Sequence, residues 1–213
     1  FSFLLKRDVS PTMTLIANAL YFKPVILRSL GLHLHYGHRY IFNLVPTNKT
    51  MSYAEKRLIG FTAEQMFDVV NTVADYPEFV PWCKKAEVRK ISDQVVVAEL
   101  KIGFPPIHEE YKSKVTSLRP FVIRSVCTDG RLFNILDTTW RFHPAENHPD
   151  CCILHYSIDF EFRSALYAKF AHIFFDQVVK TMVSAFLKRA EKRYGPPAVG
   201  YDRMTPQVLT YKD

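Results

Sequence analysis

The feature that most constrains this chain is a strand of strict alternation that runs directly into one long helical segment. Leu154, Tyr156, Ile158, Phe160 and Phe162 alternate with His155, Ser157, Asp159 and Glu161. A period of two with one apolar and one polar face marks an antiparallel strand that buries one side and wets the other. From Ser164 to Tyr194 no glycine or proline interrupts the chain, and Gly195-Pro196-Pro197 supplies a stop. The spacing predicts a single helix there, about 46 Å long at ~1.5 Å per residue. Its apolar positions include Leu166, Phe170, Ile173, Phe174, Phe175, Val178, Val179, Met182, Val183, Phe186 and Leu187. One stripe packed on one sheet uses about half of these. The surplus calls for a ligand, a partner or a membrane surface.

The preceding segments supply a sheet for this helix. Residues 52–59 read as a first strand ending at Gly60, after which Thr62 caps a helix, with Gln65 completing a capping box. Met66, Phe67, Val69 and Val70 form its apolar stripe. Residues 75–81 are a proline-punctuated turn with room for a short second helix. Strands are predicted over 83–91, 94–102, 108–118, 121–128 and 132–142, with Asp129-Gly130 as a hairpin signal and a polar loop over 143–150. Short connections imply antiparallel pairing, and a twisted sheet of about seven strands curls around the one element long enough to lie across it. The expected class is therefore α+β, with a curved antiparallel sheet wrapped around a long C-terminal helix.

Charge separates this body from what precedes it. Residues 1–50 hold six of the chain's 28 basic residues and one of its 21 acids, leaving 22 and 20 to residues 51–213. The basic excess thus belongs to the leader, whose apolar and nearly acid-free composition matches a mitochondrial transit peptide. The body lacks the basic face that phosphate neutralisation requires, so no nucleic-acid partner is expected. No run approaches ~18 consecutive apolar residues, which leaves only peripheral membrane contact. Residues 196–213 read as a flexible polar tail.

Motifs for chemistry are scarce. There is no G-x-S-x-G elbow, H-E-x-x-H pair, P-loop or dinucleotide fingerprint. Cys83, Cys127, Cys151 and Cys152 form no C-x-x-C pair, and His33, His35 and His38 lack partners, so no metal site and no cofactor are expected. Glu109 and Glu110 are strand neighbours that face opposite sides. His155 and Asp159 fall on the polar face of their strand. No catalytic residue is assigned.

The candidate ligand contacts come from the inward faces. The early strands and their approach offer Trp82, Leu100, Ile102, Phe104, Tyr111 and Val115. The later strands offer Trp140, Phe142, Tyr156, Ile158 and Phe160, and the helix offers Phe170, Phe174, Val178 and Met182. Phe79, Lys84, Lys85, Pro105 and Pro106 make a candidate membrane-contact patch, the two prolines forming a stiff apolar lip. Lys188, Arg189, Lys192 and Arg193 read as cations favoured at a helix C-terminus.

Seven motifs together resemble one family. They are Ser52-Tyr-Ala-Glu-Lys-Arg57, Tyr76-Pro-Glu-Phe-Val-Pro-Trp-Cys-Lys-Lys85, Gly103-Phe-Pro-Pro106, Val126-Cys-Thr-Asp-Gly130, Leu132-Phe-Asn134, Trp140-Arg-Phe142 and Phe160-Glu-Phe-Arg-Ser164. Over residues 52–195 the chain is similar to the mitochondrial coenzyme Q-binding START-domain proteins of the polyketide cyclase/START superfamily. The resemblance implies a helix-grip fold and a cavity that holds ubiquinone as bound ligand. It also implies a carrier or chaperone role in respiration and quinone biosynthesis, at the matrix side of the inner mitochondrial membrane. Quinone-biosynthesis proteins would then be partners. For the quinone ring, Tyr111, Tyr156 and the tryptophan N–H groups are the candidate donors. Two alternatives stand beside this reading: a cyclase- or aromatase-like enzyme acting on a quinone precursor, and a protein-interaction module.

Overall fold

The computed structural model describes residues 50–105, 107–168 and 170–212. Strand β1 (Met51–Ile59) leads to helix α1 (Ala63–Asn71), a 3-10 turn over Val73–Asp75 and the short helix α2 (Tyr76–Phe79). Six strands follow: β2 (Cys83–Lys90), β3 (Val95–Phe104), β4 (Ile107–Leu118), β5 (Val122–Cys127), β6 (Phe133–Ala145) and β7 (His148–Phe162). Helices α3 (Ala165–Ala168) and α4 (Ala171–Tyr194) come next, and strand β8 (Gln207–Lys212) ends the described chain. The eight strands form one antiparallel sheet in the order β2-β3-β4-β5-β6-β7-β1-β8.

The local signals act where expected. Thr62 accepts from the Gln65 backbone N–H at 3.2 Å, and the Gln65 side chain accepts from the Thr62 N–H at 2.9 Å, closing the capping box of α1. Met66, Phe67, Val69 and Val70 are all buried. On β7 the apolar set Leu154, Tyr156, Ile158, Phe160 and Phe162 is buried, while the residues between them are not. Gly130 closes the β5–β6 turn at φ +60, in the left-handed region that glycine tolerates best.

Four expectations are corrected. The helix predicted over 164–194 is two helices, α3 ending at Ala168 and α4 beginning at Ala171. No glycine or proline marks the break. It lets Tyr167 stay on the sheet, its ring 6.0 Å from Phe162 and its hydroxyl donating to Glu109 at 2.9 Å, while the next turns swing across the concave face. The polar loop over 143–150 is a two-residue turn at Glu146-Asn147, because β6 and β7 pair as far as Ala145 and His148. The tail over 196–213 is tied down. The Ala198 N–H donates to Gly60 O at 2.8 Å, Val199 and Met204 are buried, and β8 pairs with β1 as an eighth strand, where about seven were expected. Here glycine is required at Gly60, since a Cβ there would meet the Val199 backbone nitrogen at 2.9 Å. Phe79, placed on an exposed patch by the sequence, is half-buried. Its ring packs edge-on against Tyr76 and Phe186, at 5.8 and 5.1 Å.

Helix α4 lies in the grip of the sheet. Phe175, Val178, Val179, Val183, Phe186, Leu187 and Ala190 are buried on it. Two aromatic clusters seat its ends. Phe174 meets Phe104, Phe162 and Phe160 at 5.1, 5.5 and 5.8 Å. Three turns on, Phe186 meets Trp140 at 4.8 Å and Tyr76 at 5.2 Å. Between the two clusters, Val178, Val179 and Val183 are the helix residues buried against the interior. No helix among the described residues is long and apolar enough to cross a membrane.

Candidate functional site: an apolar cavity beneath the last helix

Between the two aromatic clusters the interior does not close, and a cavity of about 150 Å³ remains. Phe174, Val178, Met182 and Phe186 roof it from α4. Leu100 and Ile102 of β3, with Tyr111 and Val115 of β4, form one wall. Trp140 of β6 with Tyr156 and Ile158 of β7 forms the other. Eleven of the fifteen residues expected at a ligand therefore line this space.

Of the four others, Phe104, Phe142 and Phe160 are displaced along the fold rather than turned to the wrong face. Phe104 is buried behind the wall, 5.0 Å from Trp82 and 5.1 Å from Phe174. Phe142 is fully buried two residues beyond Trp140, its ring stacked 6.5 Å from it. Phe160 sits among Phe162, Phe174 and Phe175. Phe170 is the half-buried residue at the start of α4 and does not reach the cavity. Phe104, Phe142 and Phe160 fill the core on which the cavity rests, because periodicity assigns a residue to a face but not to a position along it.

Sequence reasoning missed the rest of the lining. Val70, Val73, Tyr76, Val80, Pro81 and Cys83 contribute from α1, the turn, α2 and the approach to β2. Ile123, Ser125, Phe133, Leu136 and Thr138 contribute from β5 and β6, with Phe186 above them. Trp82 joins the two groups with φ +64, a left-handed backbone that costs a bulky residue of order 1–3 kcal/mol. Its carbonyl accepts from the Gly103 N–H at 2.8 Å, which fixes the strained turn against β3 and holds the indole over the cavity.

The polar character of the cavity rests on hydroxyls. Tyr76 is already occupied, donating to Val70 O at 2.6 Å. The hydroxyls of Tyr111, Tyr156, Ser125 and Thr138 have no hydrogen-bond partner among the described residues. Burial pushes the Tyr111 and Tyr156 phenols well above their ordinary range, and the nearby charge of Glu55 adds to the effect on Tyr156. Burial likewise raises the Cys83 thiol. All of these groups stay protonated at neutral pH, as donors or neutral thiols. No carboxylate, imidazole, lysine or arginine lines the space.

The other titratable candidates lie elsewhere. Glu110 pairs with Lys101 at 3.0 Å on the wet face. Burial and the neighbouring charges of Lys56, His143 and Arg141 hold the His155 imidazole below its ordinary value, on the sheet face opposite the cavity. No group of three or more potential metal ligands occurs among the described residues, and His33, His35 and His38 lie outside them. Of the membrane-contact candidates, Lys84, Lys85 and Pro105 are exposed, Lys85 is paired with Glu87 at 2.5 Å, and Pro106 lies outside the described residues.

Comparison with known proteins places this architecture. Residues 59–187 match the family described as polyketide cyclase / dehydrase and lipid transport. Over 149 residues, 70% of this chain, the sequence is 45% identical to the mitochondrial coenzyme Q-binding protein COQ10 homolog B of Xenopus laevis. It is 39% identical over 148 residues, 69% of this chain, to the mitochondrial coenzyme Q-binding protein COQ10 of Drosophila melanogaster. The matched segment spans 61% of the length of each relative. Among solved structures, the Zhui aromatase/cyclase of Streptomyces superposes with a TM-score of 0.58 at 17% identity, covering 68% of this chain and 96% of that one. That likeness concerns the fold.

Proposed function

The chain belongs to the polyketide cyclase / dehydrase and lipid transport family, and from that membership we propose that it binds ubiquinone or its late precursors beneath α4 and carries them unchanged. The observation that carries this reading is an apolar cavity with no charged side chain in its lining and four neutral hydroxyls free to donate. A quinone ring is flat and apolar, with carbonyl oxygens that only accept hydrogen bonds. Tyr111, Tyr156, Ser125 and Thr138 are the complementary donors, each worth ~1 kcal/mol net. The names of the two relatives support the same ligand.

Size divides the ligand into two parts. A space of about 150 Å³ suits one benzene-sized ring and falls below the ~300–1,000 Å³ of pockets that enclose a drug-sized molecule. The ring end is therefore the part held inside, and the isoprenoid tail extends beyond the enclosed space. Burying tail is favourable by ~25 cal/mol per Å², yet a bilayer solvates the same surface equally well. Selective transfer into the protein depends on the ring contacts. Such a balance suits a carrier that supports respiratory electron transport and quinone biosynthesis more than a tight store. The mitochondrial names of the relatives support that organelle, and a membrane-dissolved ligand calls for peripheral contact with the inner membrane on its matrix side, near quinone-biosynthesis proteins.

A cyclase reading has less to work with. Its proton transfers fall to Tyr111 and Tyr156, whose acidity burial suppresses. Mass spectrometry of lipid extracted from the full chain, produced in quinone-containing cells, tests the proposal. Ubiquinone retained through washing supports it, and repeated ligand-free preparations of folded protein sink it. Under the cyclase reading, Tyr111→Phe or Tyr156→Phe instead abolishes turnover of a precursor while ligand retention survives.

A further inference from the structure

A second concavity adjoins the first. Helix α2 and the middle of α4 bound an open groove of about 470 Å³, and Pro81 lines both this groove and the cavity. Its far wall is an exposed stripe of α4 in which Lys180, Ser184, Lys188 and Lys192 recur at every fourth residue, so that all four side chains share one side of the helix. Thr181 and Ala185 form a shallow floor, and Phe79 joins Pro81 at the rim.

The charges here are unevenly compensated. Arg189 is spoken for: it bridges Asp75 at 2.9 Å and Glu78 at 2.8 Å and lies over the Phe79 ring at 5.3 Å. Lys180 stands 3.6 Å from Asp176. Lys188 and Lys192 make no ion pair among the described residues. The sequence reading of Lys188, Arg189, Lys192 and Arg193 as cations answering a helix C-terminus does not cover this pattern. A terminal dipole acts within the last turn, whereas Lys188 lies more than a turn from Tyr194 and Lys180 nearly four turns away.

We infer that this groove is the membrane-docking site, where the phosphates of anionic phospholipids at a bilayer surface settle between Lys188, Lys192 and Lys180. The inference rests on the proposed carriage of a membrane-dissolved quinone and supplies the surface by which the cavity meets its source. Two features favour a bilayer over other polyanions. The cations are bordered on one side by apolar Phe79 and Pro81, beside a Glu78 whose charge Arg189 answers, which matches the headgroup-to-hydrocarbon boundary. Pro81 then places the cavity wall on the hydrocarbon side of the bound phosphates. The docked protein loads its ligand without exposing the tail to water.

The test is flotation of the full chain with vesicles of phosphatidylcholine alone, or with roughly one-fifth phosphatidylglycerol. The parent binds the anionic vesicles preferentially and is released as salt shortens the screening length. K188Q/K192Q binds about 25-fold more weakly, from the roughly fivefold attraction that each lysine contributes near such a surface. K188R/K192R binds like the parent. Equal binding of the parent to both vesicle types overturns the inference, as does a K188Q/K192Q variant within about twofold of the parent. A loss confined to K84Q/K85Q moves docking to the sheet edge and also overturns it. So does a K188Q/K192Q variant that loses single-stranded RNA while keeping vesicles. Quinone content, read by mass spectrometry on the same preparations, judges the carrier reading separately, because none of these lysines touches the cavity.

Discussion

The Arg57 guanidinium lies 2.6 Å from the Glu55 carboxylate, two residues back on the same strand, and that carboxylate is completely shielded from solvent. Tyr53 donates to the same oxygen at 2.5 Å, so three successive inward positions of β1 form one buried polar chain beside Tyr156. Glu55 Oε1 and Arg57 Nε remain without hydrogen-bond partners. Removing one partner of a buried pair strands the other charge, which typically costs ~3–5 kcal/mol, whereas replacing both by apolar groups is far milder. Urea unfolding of E55A is expected to show a loss of that order, and E55L/R57L a smaller one. A double variant as unstable as E55A would mean the cost comes from packing and not from the uncovered arginine.

Neither the face on which Glu55 lies nor its burial was legible in its own strand. Alternation on β7 fixes which residues point inward, and β1 pairs with β7 in a register that puts Glu55 opposite Tyr156. Only the pairing places a charged residue in the interior, and pairing is a property of residues a hundred positions apart. The same limit explains the helix break. Tyr167 is held by Glu109 and Phe162, so nothing within the helical segment itself announces it. Ser125 and Thr138 escaped notice because small polar residues carry no hydrophobic period. Yet each shares strand parity with a buried neighbour, Ser125 with Ile123 and Thr138 with Trp140, and that was the signal available. β8 escaped because all six of its residues stay exposed.

Asp129 gives the fold a dependence on acid. Burial pushes its carboxyl up, but bonds from Arg131 and the backbone N–H groups of Arg131 and Lys112 outweigh this and hold it below the usual carboxylate value. A group whose folded value is depressed contributes stability above its unfolded value, here 3.8, and loses it as the pH falls through the folded one. D129N should cost about 1 kcal/mol at pH 7, for the weakened bonds at the β5–β6 turn. The gap between the two urea midpoints should close as the pH is lowered below 3.8. A gap independent of pH would remove ionisation from the explanation.

Tyr211 turns the last strand into a closure. Its ring meets Phe175 of α4 at 5.4 Å and Tyr53 of β1 at 6.2 Å, and its hydroxyl donates to Asp176. Strand β8 thereby spans from the sheet edge to the helix. Y211A is expected to lose about 1–3 kcal/mol, from two aromatic pairs of ~0.5–1.5 kcal/mol each. Hydrogen exchange should quicken at β8 and the first turns of α4 while the β3–β4 hairpin is unaffected. Uniform quickening across the sheet would instead make Tyr211 a global stability determinant.

Thr138 faces Ser125 directly across the β5–β6 ladder, and both line the cavity opposite Val178. This pair and the roof above it allow ring recognition to be separated from simple filling of space. S125A/T138V removes two donors while keeping nearly the same shape, and it leaves no stranded partner, since neither hydroxyl is bonded within the described protein. Stability should hold or rise slightly, and retention of ubiquinone should fall about tenfold or more, for two bonds of ~1 kcal/mol each. V178F acts on volume instead. An added ring projecting from α4 occupies much of a cavity of about 150 Å³, so it should expel ligand of any polarity at little cost to folding, because the space it fills is already open. If the cavity holds the ring of a quinone, V178F abolishes retention of quinone and of simple isoprenoid alcohols alike, whereas S125A/T138V discriminates against quinone only. Equal loss of both ligands in S125A/T138V would mean that the two hydroxyls shape the cavity without reading what enters it.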